Sequence, residues 1–324
     1  MSAAPSVLLV GTGPMARDYA RLFREGLSWP FVVASRQAAT GAAFAAEHGA
    51  AGAVVLDELA EGRQKASQYD LVVIASAIDA LSAVTTSLLA GGAKKVLVEK
   101  PAALDVASAR AIAELAKSRD AFVRVAYNRR YYASVRRLRE ILRSEAPVCA
   151  TFDFTEWPSS IGALDKPAIT KARWALGNSA HVFDTMFHLL GPMSGCVHRI
   201  EGKGVLEWHP SGATYVGTAA LGTTPVSWAT SWQCPGRWNI EVMTALGRYK
   251  LSPMEQLQVV RHRSVQWSPV EIDDALDKAW KPGLHRMVTA FKEAALDGGA
   301  CDLPDAAENA TTVASVCHVV GYEG

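Results

Sequence analysis

The first third of the chain alternates between short apolar runs and helix-period segments, and this alternation constrains the fold more than any other feature. The runs "VLLV" (7–10), "FVVASR" (31–36), "YDLVVIAS" (69–76) and "KVLVEKP" (95–101) are short and rich in β-branched residues. Helical spacing follows the first, with Met15, Ala16, Tyr19, Leu22 and Phe23 on one face. It also follows the last, in "DVASARAIAELAKSR" (105–119). Strands joined through helices build a parallel sheet covered on both faces, so the expected fold class is α/β with an N-terminal doubly wound sheet.

Beyond about residue 123 the pattern changes to separate strand-like pieces, among them "VCATFDFTEW", "ATYVGTAALG", "PVSWATSWQC" and "NIEVMTALGRYKLS". Several alternate in polarity, as half-buried antiparallel strands do. A prior of ~150 residues per domain gives two domains for a chain of 324 residues. The expected units are therefore 1–123, a nucleotide-binding domain, and 124–324.

Where the first strand ends, "GTGPMA" sets Gly11, Thr12, Gly13, Pro14, Met15 and Ala16 at a strand-to-helix turn. Glycines there allow a tight turn and let backbone N–H groups approach a pyrophosphate at a helix N-terminus. NAD-specific units usually end the second strand on an acid that binds the ribose 2′-OH. This chain has Ser35 and Arg36 there. A hydroxyl and a guanidinium suit a 2′-phosphate, so NADP(H) is expected as cofactor in preference to NAD(H).

The formal net charge of +1 gives no field that would favour nucleic acid or an anionic membrane. No apolar run approaches the ~20 residues of a bilayer span. The opening "MSAAPSVLLVGTG" lacks the basic and long apolar regions of a signal peptide. Five scattered cysteines contain no CxxC, which suggests neither a zinc clip nor a disulfide framework. The expectation is a reduced, cytoplasmic protein with no nucleic-acid or membrane partner.

"GNSAHVFDTMFHLLG" (177–191) places His181, Asp184 and His188 on one helical stripe within an apolar run. Hydride transfer at an oxygen-bearing carbon needs a partner that moves a proton, and imidazole titrates near working pH. The same stripe could instead ligate a divalent metal, or hold histidines satisfied by backbone carbonyls. Proton transfer is preferred because a dinucleotide carries the redox chemistry itself, and no metal is expected. His181 is either a substrate contact or a helix-start side chain. Asn178 and Ser179 offer an N-cap.

"GTGPMA", "VEKPAA", "VAYNRRYYASVRRLREIL", the D-x-x-x-H pair and "AFKEAALDGG…DLPDAAENATTVASV" stand in an order and spacing that resembles the Gfo/Idh/MocA oxidoreductases. The resemblance implies a second domain with a large open, mainly antiparallel sheet for substrate binding and oligomerisation, and hence a homodimer or homotetramer. It assigns Lys100, Asp184 and His188 to catalysis. It places Asn128 beside Lys100, and adds Glu99 together with Ala75, Ser76 and Ala77 to the cofactor contacts. Arg173 and Trp174 are similar to a Trp-Arg pair of the family, in reversed order. With Arg130, Trp157 and His181 they make up the expected substrate contacts. The function implied is hydride transfer to or from a secondary alcohol or ketone of a sugar, sugar nucleotide or inositol-like polyol. Its rivals are reduction of an imine or tetrapyrrole-type double bond, and a non-catalytic dinucleotide-binding regulator.

Overall fold

Six parallel strands form one sheet: β1 (Val7–Val10), β2 (Phe31–Ser35), β3 (Gly52–Val55), β4 (Leu71–Ile74), β5 (Lys95–Val98) and β6 (Phe122–Val125). The computed structural model describes residues 4–61 and 63–322; part of the opening segment read for targeting signals, residues 1–3, lies outside them. The strand order is β3-β2-β1-β4-β5-β6, so the winding direction reverses between β1 and β4. Each residue of β1 pairs with both neighbours, Val7 with Phe31 and Leu71 at one end and Val10 with Ala34 and Ile74 at the other. All four residues of β1 are buried, which is why the strand reads as continuously apolar.

The helices Pro14–Arg21, Ala38–His48, Leu81–Ala90 and Val106–Ser118 connect these strands. The last begins where its pattern predicts, with the Asp105 carboxylate accepting from the Ser108 N–H at 2.7 Å. The sheet continues through Val125, so β6 runs across the boundary expected after residue 123.

Contacts divide the chain into Met1–Tyr127 with Leu284–Val313, and Asn128–Gly283 with Ala314–Gly324. The helix Leu284–Asp297 thus returns to the first unit. There Phe291 meets Phe122 with ring centroids 5.9 Å apart, and the Val125 N–H donates to the Pro304 carbonyl.

The second unit holds eight strands: β7 (Pro147–Asp153), β8 (Met193–Glu201), β9 (Thr214–Leu221), β10 (Thr224–Ser231), β11 (Asn239–Thr244), β12 (Gly247–Leu251), β13 (Gln258–Arg261) and β14 (Ser268–Pro269). They run in the order β14-β13-β12-β11-β7-β10-β9-β8, and only β7 and β10 pair in parallel. "NIEVMTALGRYKLS" is a hairpin of two strands, with Ile240 opposite Leu251.

One face of this sheet presents Ala150, Phe152, Val226, Trp228, Ile240 and Val242, all buried. The helix Ala180–Leu190 covers it, with Phe183 lying 5.3 Å from Phe152 and 4.9 Å from Phe154 between ring centroids. The opposite face alternates in with Thr151, Val216, Thr218 and Ser227, as the period-two pattern requires. No helix among the described residues is long and apolar enough to cross a membrane.

Candidate functional site

At the switch point of the first sheet the chain leaves β1 through Gly11, whose φ is 115°. A Cβ there would sit 2.5 Å from the Ala75 carbonyl oxygen, just past β4, so only glycine lets the two strand ends come this close. Gly13 then forms the N-cap of the helix Pro14–Arg21 with no side-chain cap, and a Cβ on it would meet nothing within 4 Å. Uncapped N–H groups facing open space at a helix start suit a phosphate. The Ser76 hydroxyl, one residue beyond Ala75, is buried with no hydrogen-bond partner among the described residues. Thr12, Met15 and Ala16 belong to the same turn, and Ala77 is exposed at its far side. These features fit a dinucleotide.

Ser35 and Arg36 separate in role. The Ser35 hydroxyl is buried and donates to the Gln37 carbonyl at 2.7 Å. A phosphate oxygen accepts and does not donate, so Ser35 has no proton left for it. Arg36 is exposed at the end of β2. Of the pair, Arg36 is thus the side chain that stands open to a ligand, and the Ser35 hydroxyl is turned onto its own backbone.

Glu99 and Lys100 follow β5. The Tyr19 hydroxyl donates to Glu99 Oε1 at 2.8 Å, and burial, then the Glu99 charge, holds that phenol well above its ordinary value. This bond ties the glycine-turn helix to the end of β5. Lys100 is half-buried, and the carbonyl of the next residue, Pro101, accepts from the Asn309 amide at 2.9 Å.

In the second unit Asp184 is fully buried and takes a two-point clasp from Arg130, with Nε to Oδ2 at 2.9 Å and Nη2 to Oδ1 at 2.7 Å. Asp184, expected in catalysis, and Arg130, expected at the substrate, are thus held to each other. The pair anchors the middle of the helix Ala180–Leu190, whose next turn carries the half-buried His188. The Asn128 amide, expected beside Lys100, donates to the Pro282 carbonyl at 2.9 Å.

Asn178 and Ser179 do not cap that helix. Both donate to a carboxylate that the sequence gives no reason to single out, Glu156, which lies shortly beyond β7. Oε1 of Glu156 accepts from Asn178 at 2.9 Å, Ser179 at 3.0 Å and the Trp238 indole at 3.0 Å, and Oε2 accepts from Asn178 at 3.0 Å. Burial pushes the Glu156 carboxyl up from the ordinary glutamate value, against the pull of these donors.

Glu156 lines a cavity of about 540 Å³ with Trp157, Asn178, Trp238, Arg129 and Arg237. Trp157 is 57 % exposed, with its indole N–H on the Gly236 carbonyl at 2.7 Å, so its ring faces outward from a fixed edge. His181 is buried with its ring 6.0 Å from that of Trp238. Trp174, by contrast, is a core residue set edge-on to Trp208, and Arg173 lies over the Tyr322 ring at 4.6 Å. These two are not among the residues that line the Glu156 cavity.

Residues 6–127 match the model of an oxidoreductase family with an NAD-binding Rossmann fold, GFO_IDH_MocA. No curated protein matches the chain at a significant level. Among solved structures, a UDP-N-acetylglucosamine 3-dehydrogenase from Acidithiobacillus ferrooxidans aligns at 15% identity and TM-score 0.75, over 98% of this chain and 97% of that one. An oxidoreductase from Agrobacterium radiobacter, in complex with NAD+, L-tartaric acid and magnesium, aligns at 15% identity and TM-score 0.76, over 97% and 94%. A levoglucosan dehydrogenase in complex with NADH aligns at 15% identity and TM-score 0.76, over 98% and 96%. At these identities the likeness concerns the fold.

Proposed function

Since residues 6–127 match the NAD-binding Rossmann model of the Gfo/Idh/MocA oxidoreductases, we propose that the chain transfers a hydride between NADP(H) and a polyhydroxylated substrate. The reacting centre is a secondary alcohol or ketone carbon of a sugar, sugar nucleotide or inositol-like polyol. The observation that carries the cofactor half is the turn at Gly11, which closes on Ala75 at the switch point and leaves Gly13 open at a helix start. Gly11, Thr12, Gly13 and Ser76 hold the pyrophosphate side, and Arg36 selects the 2′-phosphate.

A bound nicotinamide supplies the hydride donor or acceptor. The chain's own residues handle the rest. Lys100 and His188 take the proton roles on the resemblance of "VEKP" and D-x-x-x-H. Arg130 and Asp184 act as positioning residues that fix the helix bearing His188. The substrate class is supported by the Glu156 cavity, whose polar side chains Glu156, Asn178, Arg129 and Arg237 suit hydroxyls and whose outward Trp157 ring suits the apolar face of a sugar. The dehydrogenases of similar fold named above act on related compounds. The exposed valines of the second sheet, Val197 and Val216, support assembly of copies through that open face.

A screen of keto-sugars and polyols with NADPH and NADP comes first. On the best substrate, His188→Asn is expected to lower turnover about 10²–10⁴-fold, the usual worth of general acid–base assistance, with NADPH affinity unchanged. Full turnover in that variant would return the helix stripe to a structural role.

A further inference from the structure

The strand β8 lies at one edge of the second sheet, and its pairing with β9 is broken once. Ser194 faces Ala220 and Val197 faces Thr218, so two residues, Gly195 and Cys196, oppose the single Ala219. Gly195 takes a φ of 59°, the left-handed conformation that a bulge of this kind uses. The extra residue re-aims Cys196, which comes within 3.6 Å of His198, Sγ to Nδ1.

A third side chain reaches the same place from the helix Ala306–Val320. Just past its end a Cβ on Gly321 would lie 2.6 Å from Ile200 Cδ1, so the helix end rests directly on β8. His318 sits there with its ring 4.6 Å from that of His198, at 78° to it. One ligand atom from each of Cys196, His198 and His318 lies within 4.8 Å of the other two.

The geometry points to a site for a zinc-class divalent cation formed by Cys196, His198 and His318. A tetrahedral zinc with Zn–S near 2.3 Å and Zn–N near 2.0–2.1 Å holds sulfur and nitrogen about 3.6 Å apart. The Sγ–Nδ1 separation is 3.6 Å before any ion is bound. Two imidazoles and a thiolate, with no carboxylate in the group, select borderline and soft cations over magnesium or calcium. His318 is exposed and the other two are half-buried, so the fourth position faces solvent. Cysteine binds such a cation as the thiolate, so binding releases the thiol proton. The ion would clasp the edge strand to the helix end. A pair of imidazole rings in edge contact beside a half-buried thiol is the arrangement without metal, and titration with a metal ion distinguishes the two.

The full chain, freed of any polyhistidine tag, is titrated with Co²⁺ and then Zn²⁺. One equivalent of Co²⁺ is expected to give a thiolate charge-transfer band with tetrahedral ligand-field absorption, and Zn²⁺ to abolish both. Cys196→Ser should remove the charge-transfer band. His318→Ala, a change at an exposed position, should weaken Zn²⁺ by at least about tenfold, no less than the loss of an outer-shell partner costs. Circular dichroism reports whether each variant is folded, and if Cys196→Ser is not, His318→Ala decides alone. Absence of the thiolate band in the native chain, or Zn²⁺ affinity unchanged in His318→Ala, overturns the assignment.

Discussion

Arg36 stands exposed one residue beyond β2, and its neighbour Ser35 is turned inward onto the Gln37 carbonyl. In the proposed reading, discrimination between the two cofactors rests on this one guanidinium. Arg36→Ala is expected to remove a charge-assisted contact of ~1.5–3 kcal/mol, weakening NADPH roughly tenfold or more. NADH should be nearly untouched, and Ser35→Ala should spare the ratio. Titration of nicotinamide fluorescence measures both, and equal losses for the two cofactors would refute the assignment. A second single-residue test concerns the buried clasp. Arg130→Met leaves the fully buried Asp184 carboxylate without its guanidinium, a change that typically costs 3–5 kcal/mol. Adding Asp184→Leu should recover much of that loss in urea unfolding while turnover stays low, because His188 then sits on a helix with its anchor removed. A double variant no more stable than Arg130→Met would show that the charge is not the problem.

Among the elements, the loop between β8 and β9 and the end of the helix Ala306–Val320 share one buried polar link. His209 is fully buried; the Gly212 carbonyl, 2.9 Å from Nδ1, can only accept, so Nδ1 carries the proton and Nε2 accepts from the Tyr322 hydroxyl at 2.7 Å. Tyr322 accepts in turn from the Ala175 N–H at 3.0 Å. Burial drives the His209 value from 6.5 down to about 4. The native state thus keeps this ring neutral where the unfolded chain protonates it. Its contribution is complete above pH 6.5, drains away as the pH falls towards 4, and is exhausted below that. A displacement from 6.5 to about 4 corresponds to about 3 kcal/mol. His209→Gln is expected to lower stability at pH 7.5 and to flatten the decline between pH 7 and 4.5, read as the urea midpoint. Parallel pH profiles for the two proteins would exclude His209 as the source.

The legible elements were those whose cause is local. β1 is apolar because it is buried on both faces, and Gly11 and Gly13 are glycines because a turn there requires them, so both can be read within a dozen residues. What a side chain does on arrival is not local. Asn178 and Ser179 look like a helix cap until the chain brings Glu156 and Trp238 to them. Arg130 and Asp184 each read as a site residue and turn out to be partners 54 positions apart. Cys196 and His198 form an unremarked C-x-H until the helix Ala306–Val320 delivers His318. The strand β3, "GAVV", is hard to read locally because it is short and opens with Gly and Ala, which carry little strand preference.

At the scale of the whole molecule, the open face of the second sheet carries Val197, 71 % exposed, and Val216, 47 % exposed, on neighbouring strands. If copies meet there, Val197→Glu should place a charge in the joint and shift the protein to monomers in sedimentation, with its circular dichroism unchanged. An assembly that survives the substitution must use another surface. The two ends of that sheet point the same way. One edge strand, β14, is two residues long and ends on Pro269, which has no N–H to offer. The other, β8, is interrupted at Gly195 and Cys196. A ribbon of unpaired amides is a template on which a further strand can grow, from a neighbour or from a misfolded copy, and both templates here are spoiled. The bulge that aims a cysteine at two histidines therefore also guards against fibrous growth. A chain with Gly195 deleted, its edge restored to regular pairing, should scatter light and bind amyloid dyes at concentrations where the native protein stays clear.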